Sequence, residues 1–167
     1  MKSIVKYTLY ASGVMALLFA FDMIIFSDPD QSGREIYGYL SILVALSFIF
    51  FGVRAYRNLE CEGKITFFKG FGVGLLIALL PSILFGAYNV VYMLYIEPDF
   101  AEAYYQSAVA QMHIDYSGAE LATQLAEMEA NKELFMSPVF NFFLMAITVF
   151  LIGIVVSVIS AIALRKK

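Results

Sequence analysis

The sequence predicts an all-α membrane protein with four transmembrane helices and both termini in the cytoplasm. A two-helix amphipathic periplasmic insertion is expected between the third and fourth helices. Three observations carry this reading. The 167-residue chain is 61% hydrophobic and 15% charged, with a mean hydropathy of +0.78, whereas a soluble domain is about half apolar and a quarter charged. Its apolar residues gather into four runs long enough to cross roughly 30 Å of hydrocarbon. Its basic residues collect in alternate gaps between those runs.

The first run covers 7–26 and is interrupted only by Asp22. The second (36–53), third (70–96) and fourth (139–164) carry no charge, and Pro81 lies near the middle of the third. Ser27-Asp28-Pro29-Asp30 and Gly33 stop the first run, Arg54 to Lys69 separates the second from the third, and Glu97-Pro98-Asp99 ends the third. Ser137 is placed to cap the fourth helix, with Pro138 at its first position. Lys2 and Lys6 ahead of an apolar run suit a signal peptide. The run is too long for one and lacks an A-x-A-like cleavage site, so it reads as a retained anchor. Residues 1–167 thus form a single membrane domain.

Orientation follows from lysine and arginine. With four crossings, nine of the eleven basic residues fall on one side: Lys2, Lys6, Arg54, Arg57, Lys64, Lys69, Arg165, Lys166 and Lys167. The other side holds only Arg34 and Lys132, beside eleven acids. Both termini are therefore expected on the cytoplasmic side of the membrane. Tyr7, Tyr10 and Tyr56 mark its inner interface, and Tyr37, Tyr39, Tyr92 and Tyr95 its outer one.

Residues 97–137 form the one sizeable segment outside the runs. Asp99 with Glu102, and Ser117 with Glu120, have capping-box spacing, and Gly118 divides the segment. Phe100, Tyr104, Ala108, Met112 and Tyr116 form one expected apolar stripe, and Leu121, Leu125, Met128 and Phe135 another. The two helices are expected to pack as a hairpin or to lie on the outer ends of the spans. They would either cap the bundle or dock a periplasmic partner.

Helices in lipid gain little from burial against one another, so close approach decides their packing. The third run carries Gly70, Gly74, Ala78, Ser82 and Gly86 at every fourth position, and the fourth carries Gly153, Ser157 and Ala161. These form the expected packing seam. Shorter sets are Ser12, Ala16 and Ala20 in the first run and Gly38, Ser41 and Ala45 in the second. Packing within one chain is favoured, and homo-oligomerisation stays open. Pro81 should kink its helix. Asp22, Asn89 and Asn141 fall at similar depth, as a candidate polar cluster for an ion, a proton or a lipid headgroup; alternatively Asp22 reaches water near the interface or hydrogen-bonds a neighbouring helix. Lys64 and Lys69 with Phe67, Phe68 and Phe71 suit contact with anionic lipid.

The remaining chemistry is sparse. One cysteine and one histidine cannot supply a zinc or haem ligand set. Walker, G-x-S-x-G and H-E-x-x-H motifs are absent. A net charge of −3 argues against nucleic acid. No cofactor and no enzymatic activity are expected.

Several stretches are familiar. Gly38-Tyr39, then Ala45 to Arg54 and Tyr56-Arg57, resemble the second span of the domain of unknown function 4199 family. Gly63-Lys64-Ile65-Thr66-Phe67 with Lys69, Phe71 and Gly74 is similar to its loop and third span. Ala126-Glu127-Met128-Glu129 with Lys132-Glu133-Leu134 and Pro138 resembles its acidic outer segment, and Ser157 to Lys167 its tail. The resemblance covers nearly the whole chain. It implies a small four-span inner-membrane protein of a kind found chiefly in Bacteroidota, and it adds no catalytic residue. The family often has a glutamate and a proline before the glycine where this chain reads Ile147 to Gly153. The expected function is that of a non-enzymatic accessory, assembly or interaction subunit. Its partners would be the bilayer and a membrane or periplasmic protein. The alternative is a small transporter or lipid-handling protein using Asp22 and the Pro81 kink.

Overall fold

The structure, a computed structural model, describes residues 1–25 and 33–166. Phe26, the stop at Ser27 to Asp30, and Lys167 lie outside the described residues. The described helices are α1 (Lys2–Ile25), α2 (Arg34–Glu60), α3 (Phe67–Val91), α4 (Phe100–Asp115), α5 (Gly118–Ala130), α6 (Lys132–Met136) and α7 (Pro138–Leu164). A π-helical turn, Tyr92–Ile96, extends α3. Four of the described stretches are long and apolar enough to cross a membrane: Lys2–Asp22, Ile36–Glu60, Phe67–Ile96 and Pro138–Leu164.

Three of the helices outrun their apolar stretches at the basic end. Arg54 and Arg57 belong to α2, Lys2 and Lys6 to α1, and Lys69 to α3. Lysine, arginine and glutamate are good helix formers, so the charge that ends the apolar stretch does not end the helix. What stops α2 is backbone geometry: Glu62 has φ 51° and Gly63 φ 82°. The second insertion helix is in fact two, α5 and α6, divided at Asn131.

The chain falls into two compact units, Met1–Phe85 with Ala146–Lys167, and Gly86–Met145. In the first, α1 and α2 form an antiparallel hairpin. The Ser3 N–H donates to the Glu60 carboxylate at 2.9 Å, and the Tyr37 hydroxyl donates to the Leu18 carbonyl at 2.9 Å. The buried face of α1 is Ala11, Ser12, Met15, Phe19 and Asp22. Ala16 and Ala20, expected beside Ser12, are exposed. Steps of exactly four drift about 40° per step around a helix of 3.6 residues per turn, and the core follows mixed steps of three and four instead. Ser41, Ala45, Leu46, Ile49 and Val53 line the core from α2, and Phe19 packs against Phe85 of α3 with centroids 5.1 Å apart.

The basic end of this unit is tied together by backbone. Ile65 and Lys166 exchange two N–H···O bonds, each 3.0 Å. The Arg57 guanidinium donates to the Leu164 carbonyl at 3.3 Å, satisfying a carbonyl that the end of α7 leaves open. Neither contact has a signature in the sequence.

In the second unit α4 packs on α5 and α6. Its buried residue is Tyr105, and Tyr104 is 68% exposed. The expected stripe through Tyr104 and Tyr116 is therefore displaced, for the same drift of fourfold steps. Leu121, Leu125 and Met128 of α5 are half-buried and Phe135 is exposed. Asp99 and Ser117 do precede their helices, but neither side chain makes a capping hydrogen bond. Ser137 does, its hydroxyl accepting the Phe140 N–H at 3.4 Å.

Candidate functional site

Six of the expected seam residues meet in three antiparallel pairs. A Cβ built on Gly70 would lie 3.5 Å from both Cα and Cβ of Ala161. One on Gly74 would lie 2.5 Å from Ser157 Oγ and 3.1 Å from its Cα, and one on Gly153 would lie 2.7 Å from Ala78 Cβ. The register is constant along α3 and α7: 70 with 161, 74 with 157, 78 with 153. Serine fits here because it needs no partner across the seam. Ser157 donates to Gly153 O at 2.7 Å and Ser82 to Ala78 O at 2.8 Å, each on its own helix. Helix α3 runs unbroken through Pro81, which is fully buried and withholds one N–H from the ladder. Gly86 belongs to the second unit. A further close approach, at Gly52, follows no small-residue row in the sequence. Its missing Cβ makes room for Ile77 Cδ1 and for Tyr7, whose Cβ would be 3.0 Å away.

Asp22, on α1 in the first unit, is 8% exposed. Asn89 lies in the second unit, where its Oδ1 is buried without a hydrogen-bond partner. Asn141 opens α7, and its amide donates to the Phe135 and Ser137 carbonyls at 2.5 and 3.1 Å. That amide therefore holds the α6–α7 turn.

A polar clasp closes the second unit on itself. The Tyr105 hydroxyl donates to the Glu129 carboxylate at 2.5 Å. The Lys132 ammonium lies 4.5 Å from the Tyr105 ring centroid and 3.6 Å from Glu102, and Gln106 donates to Glu102 at 2.7 Å. Local sequence patterns point to none of these pairings, because Tyr105 and Glu129 lie 24 positions apart. Donation to Glu129 holds the Tyr105 phenol above its ordinary value of 10.0. The Gln106 amide, with Lys132, holds Glu102 below 4.5.

A raised phenol pKa adds stability that is whole below pH 10.0 and is lost as pH climbs through the folded value. A lowered carboxylate pKa adds stability that is whole above pH 4.5 and is lost as pH falls through the folded value. The clasp is expected to loosen at both extremes. Thermal unfolding in detergent across pH should show it, with Tyr105→Phe deleting the alkaline loss and sparing the acid one. An unchanged alkaline limb in Tyr105→Phe would assign that loss to other groups.

Around these sites the chain has the marks of one family. A family model described as "Protein of unknown function (DUF4199)" matches residues 6–166. The chain belongs to the DUF4199 family. No curated protein and no solved structure matches it. The match takes in the first membrane-length helix of this DUF4199 chain from Lys6 onward and the other three whole, with the seam and the clasp. Among its described residues, no three His, Cys, Asp or Glu side chains gather as a metal site would require.

Proposed function

We propose that this DUF4199 chain is a non-enzymatic accessory or assembly subunit of the bacterial inner membrane. Both termini face the cytoplasm, and residues 97–137 present a docking surface to a periplasmic partner. The carrying observation is apolar exposure on the segment between the third and fourth membrane-length helices. Ile114 is 77% exposed, Tyr104 68% and Leu134 47%, although the clasp has already closed these helices on one another. Apolar area left in water forgoes about 25 cal/mol per Å² that a partner would recover. The bias of basic residues supports the orientation.

Mild-detergent purification with mass spectrometry tests the reading. A protein that co-purifies with wild type and is lost from Ile114→Glu and Tyr104→Glu is the expected result; a clean monomer across several detergents counts against it. In a Cys61-free background, a cysteine at Thr123 should react with an impermeant reagent before the inner membrane is broken. Reaction only afterwards would reverse the topology.

A second reading, a small transporter or lipid-handling protein working through Asp22 and Pro81, draws support from the burial of that carboxylate at 8% exposure. Asp22→Asn that loses cellular function at an unchanged protein level would favour it. Wild-type behaviour would leave Asp22 a packing residue.

A further inference from the structure

A groove of ≈ 330 Å³ runs between α2 and α7, lined by Leu43, Ser47, Phe50 and Phe51 and by Ile159 and Ser160. Its serines have turned inward: Ser47 donates to the Val44 carbonyl at 2.6 Å and Ser160 to the Val156 carbonyl at 2.7 Å. The lining therefore offers an occupant little but hydrocarbon. Positions 43, 47, 50 and 54 advance by three or four residues, so Arg54 continues the groove face of α2. Arg54 is exposed, and the matching position on α7 is the small Ala163.

Arg54 also marks a boundary. Val53, Gly70 and Ala161 meet in one layer, since a Cβ on Gly70 would lie 3.5 Å from both neighbours. Charge begins one residue beyond that layer on two helices, at Arg54 and Lys69. From Arg54 to Leu43 the helix rises about 16 Å at 1.5 Å per residue. One leaflet of a roughly 30 Å hydrocarbon core is about 15 Å deep. The lining from Leu43 to Phe51 covers about 12 Å of that depth at 1.5 Å per residue, and Arg54 stands about one helical turn beyond it, at the headgroup end. Arg57, one turn further on, is held by Leu164 and by Asn58 Oδ1 at 2.9 Å, which leaves Arg54 as the headgroup contact.

We propose that the α2–α7 groove seats an acyl chain of an anionic phospholipid whose phosphate rests on Arg54. Charge selects the occupant. Lys64, Lys69, Arg165 and Lys166 share this end of the unit, so a headgroup with net negative charge is favoured over one carrying its own ammonium. A second copy lying parallel in the membrane would bring like charge to the same layer. The inference is independent of the periplasmic partner.

The test is native mass spectrometry of the full chain released from nanodiscs of equimolar dioleoylphosphatidylglycerol and dioleoylphosphatidylcholine. Wild type should retain phosphatidylglycerol preferentially. Arg54→Gln should lower that preference about fivefold, the weight of one basic side chain at an anionic surface, and Arg54→Lys should restore it. Ser47→Trp, which fills the groove from its exposed side, should abolish retention, with thermal melting of each variant reporting its fold. Equal retention of the two lipids, or no effect of Arg54→Gln, overturns the proposal. So does a wild-type dimer that Ser47→Trp dissociates, because the groove would then belong to a second copy.

Discussion

Gly74→Leu is expected to cost about 1–3 kcal/mol or more, the usual range for overpacking a close contact. The new Cβ would stand 2.5 Å from Ser157 Oγ, 2.7 Å from its Cβ and 3.1 Å from its Cα. Rotating the serine hydroxyl relieves only the first of these. The Cα cannot move without α7, so the helices must separate, and the pairs at Gly70 and Gly153 loosen with them. Lipid does not drive them back together, because it is as apolar as the side chains it replaces. Two controls frame the result. Leu76, on the same helix, is 55% exposed, and Leu76→Ala should lose little. Gly72 has nothing within 4 Å of its would-be Cβ, and Gly72→Ala should be neutral or stabilising by up to about 1 kcal/mol of helix propensity. Thermal unfolding in detergent measures all three. Equal stability of Gly74→Leu and Leu76→Ala would remove the seam from the account of what holds α3 to α7.

The second large effect is a rescue. Gly153→Ala puts a methyl group 2.7 Å from Ala78 Cβ and should also cost about 1–3 kcal/mol. Ala78→Gly deletes the atom that is struck. The next neighbours are Ala78 Cα at 3.9 Å and Ile49 Cδ1 at 4.0 Å, both ordinary contacts. Ala78→Gly alone loses about 1 kcal/mol of propensity, yet the double variant should recover most of what Gly153→Ala lost. A double-mutant cycle then gives a coupling within the range of about 0.5–3 kcal/mol seen for residues in contact. Simple additivity of the two losses would mean that the residues do not touch.

These effects also show why some features were legible in the sequence and others were not. Four apolar runs forecast four membrane-length helices because lipid imposes length and composition together. The small residues at every fourth place in α3 and α7 were legible because such a row follows a helix ridge inclined about 26° to the axis. A partner lying along that ridge touches every member. The same spacing misled in α1 and α4, where Ala16 and Tyr104 face outward, because no neighbour follows the ridge there and the row drifts off the core. Arg57 to Leu164, Ile65 to Lys166 and Tyr105 to Glu129 all join distant stretches. Local patterns carry no record of such pairings. The groove beneath Arg54 was illegible for a related reason: four of its lining residues come from α2 and three from α7.

The π-helical turn at Tyr92–Ile96 bears on how the chain can vary in length. Glu97 donates its N–H five residues back, to Tyr92, at 2.9 Å, so the turn accommodates one residue more than an α-helical turn would. Inserting or deleting a residue between Gly70 and Pro81 would rotate everything beyond it by about 100° and put Gly74 or Ala78 out of register with α7. A single-residue change within Tyr92–Ile96 interconverts a π turn and an α turn and leaves every upstream seam residue where it was. Gains and losses of single residues during divergence should therefore collect at this end of α3, with the stretch from Gly70 to Ser82 constant in length.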